Sequence, residues 1–408
     1  MDPRTPDRSA GATTEFERDV VQLFLEAMNR AAKEERTDVG TESVLSALVS
    51  GDSAAGSAIA PGIKASGSLG GSIGARGTSV WISADAGDGA VEAPQDGREI
   101  DAFWREVRQE QAKRLRWRNR RKDEVAAAVE LPPLTGALRA CLRRSLETAR
   151  QRGALSVRVG DVAYALLALP DTRAREAMTV EKLDISAACA ALQRSLGEDP
   201  APEPGSVLML RTAGTFGRSG NPLTRKFTAW VFGGGAGFGS AVVSAVRAEA
   251  LRGTVRRGAA EQQPVDVLLG ILALDRALTV AGRELPGRLA ADSRGAELLR
   301  RHGARQDALA RVLSDSASSA AGAGDPGEVE SAAPFERRLL HVTQFTASAQ
   351  GAPTVGTTHL LAALLDKAGT DETSAAEVER VLTECGADVA ALRAEPTLRV
   401  PKDAAGAA

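Results

Sequence analysis

Aromatic residues are scarce in this chain of 408 residues: they make up 3%, with a single Tyr. The apolar cores must therefore be built mainly from Ala, Leu and Val. That composition favours closely packed helices over sheets, because strands are enriched in β-branched and aromatic side chains. At roughly 100–200 residues per domain, the length corresponds to two or three domains. The composition predicts an all-α chain with more than one domain.

Cysteine and histidine are also rare, with three of each. Their wide separation excludes a disulfide framework, a CxxC metal pair and a zinc site of known spacing. The sequence contains no GxxxxGK[ST] and no GxSxG, and no nucleophile and base stand in a recognised catalytic pattern. We therefore predict a protein that is not an enzyme, without metal or cofactor. The three cysteines are expected to be small core residues: Cys141, Cys189 and Cys385.

The chain carries no large excess of charge of either sign. Its formal net charge of −2 excludes a globally basic nucleic-acid binder, so such a role would need a local patch. The amino-terminal residues MDPRTPDRSAGATTEFERD are polar and lack the apolar core of a secretory signal. We therefore expect a protein of the reducing cytoplasm.

The amino-terminal part of the chain is predicted to hold two helices and a flexible insert. A helical period of apolar residues begins at Phe16, and Thr41 is placed to cap a short helix over 41–49. Residues 50–99 are rich in Gly, Ser and Ala and lack this period. We interpret them as flexible or irregular, with 78–83 as a candidate strand.

Further changes in composition predict linkers and tails around later helical blocks. The helical blocks cover 134–196, 240–313 and 335–395. Segments rich in Gly, Ser, Ala and Pro separate them and are typical of linkers. The predicted linkers are 198–221 and 314–334, and the predicted disordered tails are 1–14 and 396–408.

A strongly basic helix is predicted over 101–130, ending before Pro132. Between Lys113 and Lys122, seven of ten residues are Lys or Arg, and Trp117 lies among them. Two interpretations stay open: a solvated helix whose aromatic residues pack on a neighbour, or a surface for phosphates, RNA or an anionic membrane. The basic patch comprises Arg114, Arg116, Arg118, Arg120, Arg121 and Lys122.

An uncharged stretch over 227–246 has the length of a membrane span. Five glycines weaken its hydropathy and its helicity, and its last residues already fit the first helix of a repeat. The same glycines lack the following Lys-Ser/Thr of a nucleotide-binding loop. The repeat interpretation is favoured over both alternatives.

A weak internal repeat occurs four times and consists of an amphipathic helix, a turn and a short apolar helix. The turn and short helix are VGTESVLSALV at 39–49, VGDVAYALLAL at 159–169, PVDVLLGILAL at 264–274 and VGTTHLLAALL at 355–365. Phe16 precedes Thr41 by 25 residues, whereas Phe335 precedes Thr357 by 22. Three copies then close with a helix, a short turn and a second helix, at 176–196, 295–313 and 375–395.

These four copies resemble the Clp amino-terminal domain, also called the Clp repeat domain, which heads the ATP-driven unfoldases of the Clp family. The resemblance implies an all-α fold with two pseudo-symmetric four-helix repeats per domain. Four copies then imply two tandem domains, at 15–197 and 222–395, with the insert 50–130 in the first.

The resemblance also implies a non-catalytic module that binds proteins or peptides: Clp substrates, adaptors or Clp subunits. Because the chain has no ATPase motif, we expect an adaptor or a decoy in Clp-dependent proteolysis. The alternative is a regulator that associates with nucleic acid or a membrane surface through the basic helix, over 101–124.

Candidate binding residues follow from the same resemblance. In the family, the Glu of the GTEH turn is associated with binding phosphorylated arginine, and only copy one retains it. The implied ligand-binding residues are Thr41, Glu42, Thr357, Thr358 and His359. The residues themselves leave another interpretation open, in which Thr41 and Glu42 cap a helix near its positive dipole end and His359 is structural.

Overall fold

The computed structural model describes residues 9–76, 81–120, 131–196, 203–217, 240–320, 334–366 and 371–399. The chain forms two compact units. The first unit comprises residues 14–202, and the second comprises residues 203–408 together with residues 1–13. The described residues are predominantly helical, which confirms the all-α prediction.

The first unit contains nine helices and one pair of short strands among its described residues. The strands are β1 (Glu15–Phe16) and β2 (Ser156–Val157). The helices are α1 (Arg18–Lys33), α2 (Thr41–Ser50), α3 (Ala54–Ile59), α4 (Ile63–Ala75), α5 (Pro94–Arg120), α6 (Gly136–Gln151), α7 (Val159–Ala168), α8 (Arg173–Val180) and α9 (Ile185–Ser195).

The second unit contains ten further helices and a final 3-10 turn in the part that the structure describes. They are α10 (Gly205–Thr212), α11 (Ala241–Arg257), α12 (Pro264–Val280), α13 (Gly287–Asp292), α14 (Gly295–Arg301), α15 (Gln306–Ala320), α16 (Pro334–Ala349), α17 (Thr357–Leu365), α18 (Glu372–Glu384), α19 (Val389–Ala394) and the 3-10 turn Pro396–Leu398.

The four sequence copies share one spacing in the structure. Each starts with a long helix and a second helix: α1 and α2, α6 and α7, α11 and α12, and α16 and α17. In every copy the second helix begins 23 residues after the first, at 18 and 41, 136 and 159, 241 and 264, and 334 and 357. The shorter spacing of copy four in the sequence disappears, because Phe335 lies within α16 whereas Phe16 lies in β1, ahead of α1.

Strand pairing shows how the two copies of the first unit are related. β1 and β2 are parallel, with Phe16 opposite Val157, and Val39 forms a second parallel bridge with Leu134. A shift of 118 residues carries Phe16 to Leu134 and Val39 to Val157, so each pair is the image of the other. The two copies are therefore pseudo-symmetric in their pairing.

Helix packing repeats this exchange in both units. In the first unit, α2 of copy one packs against α8 of copy two, and α7 of copy two packs against α3 of copy one. In the second unit, α17 of copy four packs against α14 of copy three, and α12 packs against α18. The copies therefore associate two by two, and the second helix of each copy contacts a later helix of the other copy.

The close contact between α14 and α17 depends on two glycines. A Cβ on Gly295 would lie 2.7 Å from the backbone oxygen of Thr357, and one on Gly356 would lie 2.1 Å from the backbone oxygen of Asp292. Both distances are shorter than side-chain carbons tolerate, so the two backbones meet only because these positions lack a Cβ.

Aromatic residues, though few, are concentrated in the core of the first unit. Phe103 packs on Phe16 with ring centroids 4.5 Å apart and on Phe24 in an edge-to-face arrangement at 5.0 Å.

Cys141 is buried in the same core, as predicted, and its thiol pKa is raised to about 12 by burial. Cys189 and Cys385 are partly buried.

The prediction that residues 50–99 form a flexible insert was wrong for the ranges 54–59, 63–75 and 94–99, which are helical. α3 and α4 occupy 54–59 and 63–75, and they are the closing helices of copy one. Leu69 and Ile73, four residues apart, share one face of α4 and are fully buried, so a narrow apolar stripe suffices to hold a Gly-rich helix. The described part of the candidate strand, 81–83, contains no strand.

Other predicted boundaries also moved. The basic helix begins at Pro94 rather than at 101, and residues 121–130 lie outside the described residues. α10 lies inside the predicted linker 198–221, because Val207 and Leu210 are buried in the core of the second unit.

The second linker and the tails were likewise too long in the sequence prediction. α15 reaches Ala320 and α16 begins at Pro334, both inside 314–334. The tail predicted over 396–408 begins with a 3-10 turn in which Leu398 is buried. Residues 9–13 of the other predicted tail pack on the second unit.

Asp85 connects the starts of three helices in the first unit. Its carboxylate accepts hydrogen bonds from the backbone N–H and hydroxyl of Thr41 (2.8 and 2.7 Å), the hydroxyl of Thr135 (2.9 Å) and the N–H of Arg173 (3.2 Å). These residues stand at the starts of α2, α6 and α8. One buried negative charge therefore lies at three positive helix ends.

We expect Asp85→Ala to lower the free energy of unfolding by about 3 kcal/mol or more, because four donors lose their acceptor inside the protein. Asp52→Ala, at an exposed turn, is the matched control and should change it by less than about 0.5 kcal/mol. Urea unfolding measures both. A loss for Asp85→Ala as small as that of the control would contradict the role assigned to this carboxylate.

Candidate functional site

The five residues implied as ligand-binding are all buried in the structure. Thr41 and Glu42 belong to the first unit and Thr357, Thr358 and His359 to the second. Gly40 rather than Thr41 holds the cap position of α2, and Thr41 is its first helical residue. The Thr41 hydroxyl donates to Asp85 and accepts from the N–H of Ala174 at 3.1 Å.

Glu42 is paired with arginines of the same unit. Its Oε1 accepts a hydrogen bond from Nη1 of the buried Arg36 at 2.8 Å and lies 3.7 Å from Nη1 of Arg173. Its Oε2 is buried and has no hydrogen-bond partner. Burial raises the pKa of the Glu42 carboxyl above its ordinary value, against the opposing effect of the two arginines. The resemblance implies that the Glu42 carboxylate binds the guanidinium of a ligand, but in the structure this carboxylate is already paired with the guanidinium of Arg36.

Arg36 itself is held from several sides. Besides Glu42, it donates to Glu34 at 2.6 Å and to the backbone oxygen of Ile73 at 3.2 Å. Its guanidinium also lies 5.8 Å from the ring centroid of Trp81, within cation–π range. The arginine therefore joins α2 and α4 to the segment that follows α4.

Two of the three candidate residues of the second unit join α17 to the start of α14, and the third, His359, caps α17 itself. The Thr357 hydroxyl accepts from the N–H of Gly295 at 3.0 Å, and the Thr358 hydroxyl accepts from the N–H of Arg294 at 2.9 Å. Nδ1 of His359 accepts from the N–H of Gly356 at 3.0 Å. Burial lowers the pKa of His359, which matches a neutral ring that accepts at Nδ1.

His359 stands at a position with a common role in three copies. It is the third residue of its helix, and the equivalent residues are Asp161 in α7 and Asp266 in α12. Asp161 accepts from the N–H of Arg158 at 2.9 Å, and Asp266 accepts from the N–H of Gln263 at 2.8 Å. All three side chains satisfy the amide that precedes their helix, which supports the structural interpretation of His359.

An apolar groove lies in the second unit, between α11, α12, α16 and α17. It is partly open to solvent. At one border, Arg247 and Glu336 form a bidentate ion pair at 2.8 and 2.9 Å. The groove is lined by Val243, Arg247, Gln262, Val267, Glu336, Leu339, Leu340 and Leu360.

Gln262 is the one lining residue whose polar group is left unsatisfied among the described residues. It is 4% exposed, and its Nε2 has no hydrogen-bond partner. A buried amide donor without an acceptor costs about 1–3 kcal/mol. A ligand that places an acceptor beside Gln262 would remove that cost.

The equivalent surface of the first unit is filled by the chain itself. The common spacing makes Phe24 the counterpart of Leu340 and Val157 the counterpart of Gln262. Phe103 of α5 packs on Phe24, and α5 lies against α1, α6 and β1. Ile100, Phe103 and Val107 are fully buried and form one face of α5. An amphipathic helix thus fills the first groove.

The basic patch lies at the other end of α5. Lys113 and Arg114 are exposed, Trp117 is 63% exposed, and Trp104 packs partly buried against the core. Arg114 donates to Gln22. Side chains of Arg118 and Arg120 lie outside the described part of the chain, and so do Arg121 and Lys122.

Comparisons of the chain with protein-family models, with curated proteins and with solved structures found no match. Among the described residues, no group of three or more His, Cys, Asp or Glu side chains is placed to hold a metal ion. No helix in the described ranges has both the length and the hydropathy needed to cross a bilayer. Residues 227–239 of the uncharged stretch lie outside those ranges.

We expect Arg36→Met to lower the free energy of unfolding by about 3–5 kcal/mol, because it leaves the Glu42 carboxylate buried without its main partner. The double variant Arg36→Met with Glu42→Gln should lose less than the sum of the two single variants. Because the pKa of Glu42 is raised in the folded state, the folded state binds this proton more tightly than the unfolded chain does, and acidification should restore part of the loss in Arg36→Met. Additive effects in urea unfolding would contradict the coupling.

His359 should make the stability of the second unit depend on pH. Its pKa is lowered in the folded state, so the unfolded chain binds the proton more tightly, and stability falls as pH drops below about 6.5. His359→Asn keeps an acceptor for Gly356 and should flatten the unfolding free energy between about pH 7 and 5.5. His341→Asn, at an exposed position, should leave the profile unchanged. Equal slopes for wild type and His359→Asn would refute this.

Proposed function

We propose that the chain is a non-catalytic binding protein made of two tandem domains similar to the Clp amino-terminal domain. The four copies with one 23-residue spacing, associated two by two, support this proposal. The two domains differ in one respect that bears on binding: the groove between copies is filled by α5 in the first unit and is open in the second.

The groove of the second unit is the binding site in this proposal. Its lining is mostly apolar and it is partly open to solvent, which suits the apolar side chains of a peptide rather than an enclosed cofactor. Leu339, Leu340 and Leu360 supply the apolar surface, and Gln262 supplies a donor for a backbone or side-chain oxygen. The ligand would be an amphipathic helical segment that places its apolar face in the groove.

The polar residues around the groove distinguish the ligands that it can bind from the α5 face that fills the first unit. Val20, Leu142 and Val157 of the first unit are replaced here by Glu336, Arg247 and Gln262, at equivalent positions. A partner helix like α5 therefore meets apolar surface in the centre and polar groups at the border, the arrangement of many protein interfaces. In the cell, such a module would deliver substrates to a Clp unfoldase, or sequester ligands from it, without a motor of its own.

Selection of peptides from a random displayed library on the full chain tests the groove directly. Enriched peptides should carry apolar residues at positions i, i+3 and i+7, the pattern of Ile100, Phe103 and Val107. Leu340→Lys should weaken their binding by about tenfold or more, which corresponds to about 1.4 kcal/mol. Leu289→Lys, a half-buried position outside the groove, is the control. Equal binding to both variants would contradict the proposed site.

A second function is favoured by the exposure of Trp117 beside Lys113 and Arg114 on α5. Cations flanking an aromatic ring fit a phosphate polymer, whose binding weakens steeply as salt rises. A pull-down from a bacterial lysate separates the two functions. Clp subunits, adaptors or substrates that stay bound at moderate salt support the first, whereas RNA, DNA or lipid lost with salt and with Arg114→Ala, Arg116→Ala supports the second.

A further inference from the structure

Residues 9–13, Ser-Ala-Gly-Ala-Thr, lie on the second unit although the chain enters the first unit at Thr14. The backbone oxygen of Gly11 accepts a hydrogen bond from the N–H of Asp307 at 2.9 Å. The backbone oxygen of Thr13 accepts from Nε of Arg276 at 2.7 Å, and the Thr13 N–H donates to Gln306 Oε1 at 3.5 Å. The segment is held mainly through its own backbone.

The groups that hold this segment form a built site. Arg276, on α12, is 3% exposed. Asp307 is the second residue of α15, so its N–H has no acceptor within that helix and needs one from elsewhere. Gln306 is also buried. The helix end and the buried arginine together supply two strong donors for the carbonyl groups of an incoming peptide.

The geometry also restricts the peptide sequence. Gly11 adopts φ 74°, which glycine tolerates best, and a Cβ there would lie 2.7–3.0 Å from the Cβ, Cγ and Cδ of Arg305. The neighbours Ala10 and Ala12 line a small cavity with Leu272 and Arg300, whose Nε has no partner among the described residues. The site therefore fits a glycine between small residues.

We propose that α12 and α15 form a binding site for a short peptide turn with glycine between small residues, and that residues 9–13, in which the Ala12 N–H donates to the Ser9 backbone oxygen at 3.1 Å, occupy this site in cis. The segment is a tethered ligand, so a peptide of the same chemistry from a partner competes with it for the site. This inference stands on the geometry of the second unit and does not depend on the function proposed above.

A variant that lacks residues 1–13 and a labelled, capped peptide Ser-Ala-Gly-Ala-Thr test the proposal. The peptide should bind the truncated chain with a Kd of about 0.1–1 mM. It should bind the full chain about two- to tenfold more weakly, because the tethered copy acts at an effective concentration of about 1 mM. The same peptide with valine in place of glycine should not bind, and Leu340→Lys in the truncated chain should leave binding unchanged.

Hydrogen exchange of the Asp307 amide gives an independent readout. Truncation should accelerate its exchange by about tenfold or more, and added peptide should restore protection. Gly11→Val in the full chain should have the same effect as truncation. Unfolding of the second unit on truncation, failure of the peptide to bind, or an unchanged Asp307 amide would each overturn the proposal, because the segment would then be an integral part of the fold.

Discussion

Both units depend on the meeting of helix starts in the interior. A helix start carries N–H groups without internal acceptors and a partial positive charge, so two or three starts in one place repel each other and leave donors unsatisfied. The first unit solves this with Asp85, whose carboxylate serves α2, α6 and α8. The second unit uses the hydroxyl groups of Thr357 and Thr358, which accept from the start of α14. The crosswise packing of the copies rests on these contacts.

The sequence predicted the helical class and the burial of Cys141 better than it predicted the segments between the helical blocks. The spacing of apolar residues along the sequence reveals a helix that buries a broad apolar face, as α1 does. It misses α4, where two residues, Leu69 and Ile73, carry the burial and glycines fill the remaining surface. Composition therefore presented an ordered segment as a flexible one.

The candidate site shows the same limit. Thr41 and Glu42 were visible as helix-start residues, but their partners Asp85 and Arg173 come from distant parts of the chain. Whether Glu42 is a receptor or half of an internal ion pair depends on Arg36, six residues away across a loop. The open groove could not be predicted from the sequence either, because it is recognised only when equivalent positions of the two units are compared. Val20, Leu142 and Val157 are apolar in the first unit, and their counterparts in the second unit are polar.

The placement of residues 9–13 has a consequence for the order in which the protein is made. Thr13 and its partner Gln306 are separated by 293 residues. At a synthesis rate of about 5–20 residues per second, roughly 15–60 s pass between the appearance of the segment and the appearance of its site. Throughout that interval the first unit can fold while the segment of small residues ahead of it has no site to bind. The contacts of this segment therefore form well after the segment itself and the first unit have been synthesised.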